Sequence, residues 1–271
     1  MSDFNRNATA EKWGRPLSRA ESTVIDAGLR AYMLRVYNYM VLGLAITGFA
    51  ALGVYMLSVT SNPASAVSGA TGGALALRNG VYLTPIGYGL FVSPLKWVVI
   101  LAPLGLVFFL GAKMQSMRPA TAQITFAIFA ALIGLSLSSI FLVYTHTSIV
   151  RVFFITAASF GALSLWGYTT QRNLTGMGSF LIMGLFGVII ASLVNLFIGS
   201  SALQFAVSVI GVLVFAGLTA WDTQRLKNEY LYGTMEGEVL EKSAIMGALS
   251  LYLNFINLFT MLLQLLGQRD Q

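Results

Sequence analysis

Long apolar stretches without charge alternate with short charged clusters along most of the chain. Tyr37 to Val59 carries no charge, and neither do Trp97 to Ala112 nor Gln123 to Tyr144. Ile149 to Thr170 is apolar apart from Arg151 near its start. From Asn173 to Trp221 no charge occurs at all, a run too long for one helix, and Gly199-Ser200-Ser201 divides it. Ser243 to Gln268 closes the series. A spanning helix needs about 20 apolar residues. The pattern therefore predicts seven transmembrane helices, over about 37–59, 97–112, 123–144, 149–170, 177–198, 202–221 and 243–266. Pro103 is expected to kink the second. A β-barrel would show short alternating segments, and these runs are solid, so the fold class is an all-α membrane protein.

Composition agrees. Hydrophobic residues make up 56% of the 271 and charged ones 10%, with mean hydropathy +0.76, where a soluble domain carries about 25% charged residues. This excludes disorder and a nucleic-acid module; with no cysteine, a disulfide scaffold, a thiolate metal site and a Cys nucleophile go too. The net charge of +6 reports orientation first. With the N-terminus inside, the inner segments hold Arg6, Lys12, Arg15, Arg19, Arg30, Arg35, Lys113, Arg118, Arg172, Arg225, Lys227 and Lys242. The outer segments hold only Arg78, Lys96, Arg151 and Arg269. The expectation is a cytoplasmic N-terminus, with residues 1–36 as a polar basic tail, and an outer C-terminus after a membrane domain spanning 37–268. No removable signal peptide is expected. Thr60 to Lys96 is the one long loop, and its Gly- and Ser-rich part from Ser61 to Gly80 is expected to be flexible and solvated.

Close helix approach is expected at three small-xxx-small pairs: Gly134 with Ser138, Ala157 with Gly161, and Gly187 with Ala191. Polar chemistry is sparse. No acidic residue lies between Ala27 and Trp221, and Asp222 ends that gap at the inner end of the sixth span. Ionisable groups at membrane depth are costly and mark functional sites. The bland alternative is a helix running on into the cytosol, with Asp222, Arg225 and Glu229 as a solvated ion-pair ladder. The seventh span weighs against it. Its Gly247, Ser250, Asn254, Asn257, Met261 and Gln264 recur every three or four residues and share a face. Such a face turns toward protein or water, so this helix is expected to be central. If the sixth and seventh helices pair about a turn at Gly233 to Gly237, Asp222 and Asn254 lie at one depth and can touch.

Catalytic signatures are missing. There is no P-loop, HExxH or G-x-S-x-G, and Ser136 lies about 15 Å by helical rise from the sole histidine, His146. No metal or cofactor site is expected, and His146 is expected to be an exposed or locally bonded loop residue.

Several stretches carry a resemblance. Leu29-Arg30-Ala31-Tyr32-Met33 precedes the first span, and Ala131-Leu132-Ile133-Gly134-Leu135-Ser136 lies in the third. Thr219-Ala220-Trp221-Asp222-Thr223-Gln224 closes the sixth, and the seventh holds the unbroken run from Gly247 to Phe259, GALSLYLNFINLF. Together they resemble the Bax inhibitor-1/YccA family, also called the transmembrane Bax inhibitor motif family, over nearly the whole chain from about residue 29. The loops and basic N-terminus look like a bacterial plasma-membrane (inner-membrane) member. The resemblance implies a seven-helix fold with the last helix central and a pH-sensitive calcium leak gated by two aspartates on the sixth and seventh helices. Two carboxylates in contact raise one pKa and place a switch near neutral pH. The first matches Asp222; at the second position stands Asn254, which cannot ionise. A leak without the dyad is expected to respond at more acid pH, with Asp222 and Asn254 as gate and Ser250, Asn257 and Gln264 as possible polar lining. Some bacterial relatives instead imply a modulator of a membrane-anchored quality-control protease, with the N-terminal segment as a partner surface. A structural membrane protein with vestigial chemistry is the third reading.

Overall fold

The computed structural model describes residues 19–68, 75–78, 80–113, 116–233 and 237–270. Seven helices in it are long and apolar enough to cross a membrane. In chain order they are α1 (Arg19–Ser58), α2 (Leu95–Lys113), α3 (Pro119–Leu137), α4 (His146–Thr169), α5 (Thr175–Ile198), α6 (Ser201–Tyr232) and α7 (Gly237–Leu266). The chain is thus an all-α membrane protein. A short helix at Ile140–Val143 extends α3, so His146 opens a new helix instead of continuing the one that carries Ser136. The Ser136 hydroxyl donates to the Val99 carbonyl at 2.6 Å.

Local chemistry sets the boundaries. Pro119 occupies the first turn of α3, where its missing N–H costs nothing. Thr145 caps α4 by accepting from Ser148 N. Between α5 and α6, Gly199 adopts a left-handed φ of 66° and Ser200 caps α6 through Leu203 N. Nothing breaks α6 after Leu218, and the helix runs to Tyr232.

The polar stretch 1–36 is not a tail throughout. α1 starts at Arg19, and Leu29, Tyr32, Met33 and Val36 are buried, on one helical face with Met40. Residues 1–18 lie outside the described residues. The Gly- and Ser-rich loop is also partly built. Strands β1 (Val59–Thr60), β2 (Ala76–Arg78) and β3 (Val81–Leu83) form a small antiparallel sheet in the order β1-β3-β2, after a 3-10 turn at Pro63–Ser65. The expected flexibility of residues 69–74 and 79 falls outside the described residues.

α7 is the core of the bundle. Half of its most apolar stretch is buried (50%), against 11% for α2 and for α5. It packs against α1, α3, α4 and α6. Tyr252, fully buried, places its hydroxyl 2.7 Å from Thr47 Oγ1, which lies 2.9 Å from the Ala130 carbonyl. One hydroxyl chain thereby links α7, α1 and α3. Thr47→Val leaves the Tyr252 hydroxyl without a partner, which costs about 1–3 kcal/mol. Thermal unfolding in detergent is expected to show a drop of several degrees, and adding Tyr252→Phe is expected to restore part of it.

Of the glycines in the three small-residue pairs, only Gly134 sits in a tight contact. A Cβ on Gly134 would meet the Thr47 carbonyl at 2.5 Å, whereas one on Gly161 or Gly187 would meet nothing within 4 Å. The tightest approach of a glycine to a neighbouring helix backbone, unsuspected from the sequence, is Gly167 of α4 against Ala220 of α6.

Candidate functional site in the α6–α7 seam

α6 and α7 form an antiparallel hairpin with one consistent register. Glu229 meets Ser243, Gly247 faces Leu226, Ser250 bonds Asp222, Gly211 faces Met261, and Ser208 bonds Gln264. Every one of these pairs is centred within about one residue of position 236, where the turn lies; Thr234–Glu236 are outside the described residues. Such a seam places like depths together.

Asp222 is buried in this seam at 5% side-chain exposure. Its Oδ2 accepts from Asn254 Nδ2 at 2.7 Å and from Ser250 Oγ at 2.9 Å. Its Oδ1 accepts no hydrogen bond, but the Arg225 guanidinium stands 2.7 Å away, one turn along α6. Asn254 is itself buried. Of the expected solvated ladder the Asp222–Arg225 rung forms, but its carboxylate is buried and Glu229 does not join it. Arg225 is 44% exposed and lies over the Trp221 ring, while Glu229 turns to Ser243, whose hydroxyl also meets Tyr32.

A cavity of about 400 Å³, lined by Thr175, Trp221, Gln224, Arg225, Asn228 and Glu229, opens beside the site. Arg225 lines it and Asp222 does not, so the arginine separates the carboxylate from that space. Gln224 closes the other flank, accepting from Leu174 N and donating to the Arg172 carbonyl. A buried charge is tolerated only when paired and hydrogen-bonded, and Asp222 meets both conditions.

The α7 stripe divides. Ser250 and Asn254 join Asp222. Asn257 is partly buried and donates to its own helix at Leu253 O. Gln264 belongs to a second cluster near the far end, where its Oε1 accepts from Gln204 and Ser208. Gln204 and Ser208 were not singled out in the sequence, although they stand four residues apart on α6, three and seven residues after Ser201. A third set links helices around α6: Tyr37 bonds Ser164, which lies 2.9 Å from Thr223 Oγ1. His146 is exposed and sits against Tyr55 and Phe141. Among the described residues no group of three or more His, Cys, Asp or Glu is placed to hold a metal ion.

Seven spanning helices with α7 at the centre, and one carboxylate buried in the α6–α7 seam, define a multi-pass membrane protein with an ionisable group held by hydrogen bonds. Comparison with known proteins narrows the class. The family model for inhibitors of apoptosis-promoting Bax1 matches residues 29–271. The inner membrane protein YbhL of Escherichia coli K12 is 45% identical over 245 residues, covering 90% of this chain and 94% of its own. Protein RP147 of Rickettsia prowazekii is 46% identical over 252 residues, 92% and 94% of the two chains. An uncharacterised protein of Caulobacter vibrioides is 43% identical over 98% of both. The chain belongs to the Bax inhibitor-1/YccA family.

Proposed function

We propose that this is a multi-pass protein of a bacterial inner membrane, with a cytoplasmic N-terminus, that passes cations, calcium first among them, through a leak held shut at the α6–α7 seam and carries out no enzymatic chemistry. The location is supported by the relative YbhL, named an inner membrane protein. The leak reading rests on one observation: a buried carboxylate, Asp222, whose hydrogen bonds tie α6 to α7.

The arrangement gives the gate a definite sign. In the dyad that the family resemblance implies, ionising both carboxylates drives the helices apart. Here the second group is an amide that donates, and a charged carboxylate is the stronger acceptor. Ionised Asp222 therefore holds the seam closed, and Arg225, which also donates to Ser250 Oγ of α7 at 3.3 Å, reinforces it. Protonation cancels the charge that Arg225 pairs with and weakens both bonds from α7. The leak is expected to rise as pH falls.

Calcium flux into liposomes, read with a trapped dye from acid to mildly alkaline pH, tests this. The unmodified protein is expected to leak more at acid pH, and Asp222→Asn to leak without pH dependence. A full pH response in Asp222→Asn removes Asp222 as the gate. No flux in any variant ends the transport reading and leaves binding to a membrane-anchored protease as the reading to pursue by partner capture.

A further inference from the structure

At the end of the bundle away from the α6–α7 turn, α5, α6 and α7 enclose a cavity of about 620 Å³, within the range of about 300–1,000 Å³ typical of small-ligand sites. Its polar side chains are joined in sequence. Buried Asn195 accepts from Ser200 N and donates to Gln204 Oε1; Gln204 Nε2 donates to Gln264 Oε1, and Ser208 Oγ donates to the same oxygen. These bonds consume side-chain acceptors and leave donors over. Gln264 and Arg269 both line the cavity, and among the described residues neither Gln264 Nε2 nor the Arg269 guanidinium donates a hydrogen bond within the cluster.

Arg269 does not dangle. The backbone around it is tied to the start of α4 and the segment just before it: Thr145 N donates to Gln268 O at 3.0 Å, Asp270 N to Val143 O at 2.9 Å, and Gln268 N to Ser148 Oγ at 2.9 Å. The tie holds the backbone of Arg269 at the cavity's edge, and its side chain lines the space. No carboxylate lines the space, so a cation would meet only the arginine's charge along the lining. An apolar guest would strand the free amide at membrane depth. Beside the cavity, Phe197 (83% exposed), Ile198 and Phe205 present apolar surface to lipid. The complement to these features is an oxyanion carrying acyl chains.

We infer that this cavity binds the phosphate ester of an anionic phospholipid in the leaflet that meets the α5–α6 turn. Arg269 pairs with the phosphate, Gln264 Nε2 donates to it, and the acyl chains run over Phe197 and Phe205. The inference uses only the membrane-spanning fold and stands apart from the leak.

Purified full-length protein in detergent, incubated with phosphatidylglycerol or phosphatidylcholine and examined by native mass spectrometry, tests it. Preferential retention of phosphatidylglycerol is expected. Arg269→Gln, an exposed change that leaves the backbone tie intact, is expected to reduce that preference about tenfold, the loss of one charge-assisted bond. Lys96→Gln, which removes a cation at the start of α2, is expected to leave it unchanged. Soluble glycerol phosphate added in competition separates the sources: failure to displace supports the lipid, and displacement shows that a free phosphate ester suffices and overturns the lipid as occupant. Equal retention of the two lipids by the unmodified protein, or an equal loss in both variants, overturns the site.

Discussion

Replacing Asn254 by aspartate is expected to reverse the response of the α6–α7 seam to pH. In the unmodified protein Asn254 Nδ2 donates to Asp222 Oδ2 at 2.7 Å. The variant puts a second carboxylate where that donor stood. With a proton shared between them the pair bonds as well as before, and at acid pH the variant is expected to match its parent in thermal stability. At alkaline pH both carboxylates tend to ionise. Two like charges 4 Å apart repel by about 4 kcal/mol at an effective dielectric of 20, and among the described residues Arg225, 44% exposed, is the cation paired with Asp222 to offset them. Thermal unfolding in detergent is therefore expected to show the variant losing several degrees relative to its parent between mildly acid and mildly alkaline pH. In liposomes its calcium flux is expected to rise with pH, opposite to the unmodified protein. A melting difference that stays flat across the range would show that 222 and 254 are not coupled through their charge. A pH-dependent melting difference without flux would keep the contact and remove the leak.

Much of this seam was legible in the sequence. The run lacking charge from Asn173 to Trp221 and the spacing of Gly247, Ser250 and Asn254 fixed two helices, a face and a turn, and a hairpin has few registers once its turn is placed. The division of the stripe was not legible. Helical spacing says which residues of α7 share a face, but Gln264 finds its partners through Gln204 and Ser208, and those sit in an apolar run that reads as ordinary membrane filler. Burial in α1 was legible and obscured. Leu29, Tyr32, Met33, Val36 and Met40 follow the helical period, yet Arg30 and Arg35 between them made the stretch look like tail. The sheet around Thr60 and Leu83 left almost no pattern, because strands of two or three residues are too short to show alternation. Small-residue spacing misled at Gly161 and Gly187 because it marks where backbones could meet, while the neighbouring helix decides where they do.

Gly167 is where they do, and Gly167→Ala is expected to be among the most damaging single-methyl changes in the protein. A Cβ there would lie 2.2 Å from the Ala220 carbonyl oxygen and 2.9 Å from the Ala220 Cα. Both are backbone atoms of α6, so no rotamer change relieves the clash, and α4 and α6 must separate by about an ångström to reach ordinary contact. The same interface carries Ser164 Oγ 2.9 Å from Thr223 Oγ1 and the Lys227 ammonium donating to the Tyr168 carbonyl at 2.9 Å, and bonds of that length do not survive such a shift. Overpacking costs typically 1–3 kcal/mol, and the broken bonds add to it. Gly161→Ala is the matched control. It lies on the same helix, a Cβ there meets nothing within 4 Å, and replacing glycine in a helix interior gains about 1 kcal/mol. Melting temperature is expected to fall sharply for Gly167→Ala and to hold or rise for Gly161→Ala; equal behaviour of the two would show that α4 and α6 do not touch at Ala220. The consequence reaches the seam, since Ala220 is two residues from Asp222 on a rigid helix. Displacing α6 there moves the carboxylate relative to Asn254, so any Gly167→Ala protein that still folds is expected to leak at pH values where its parent is closed.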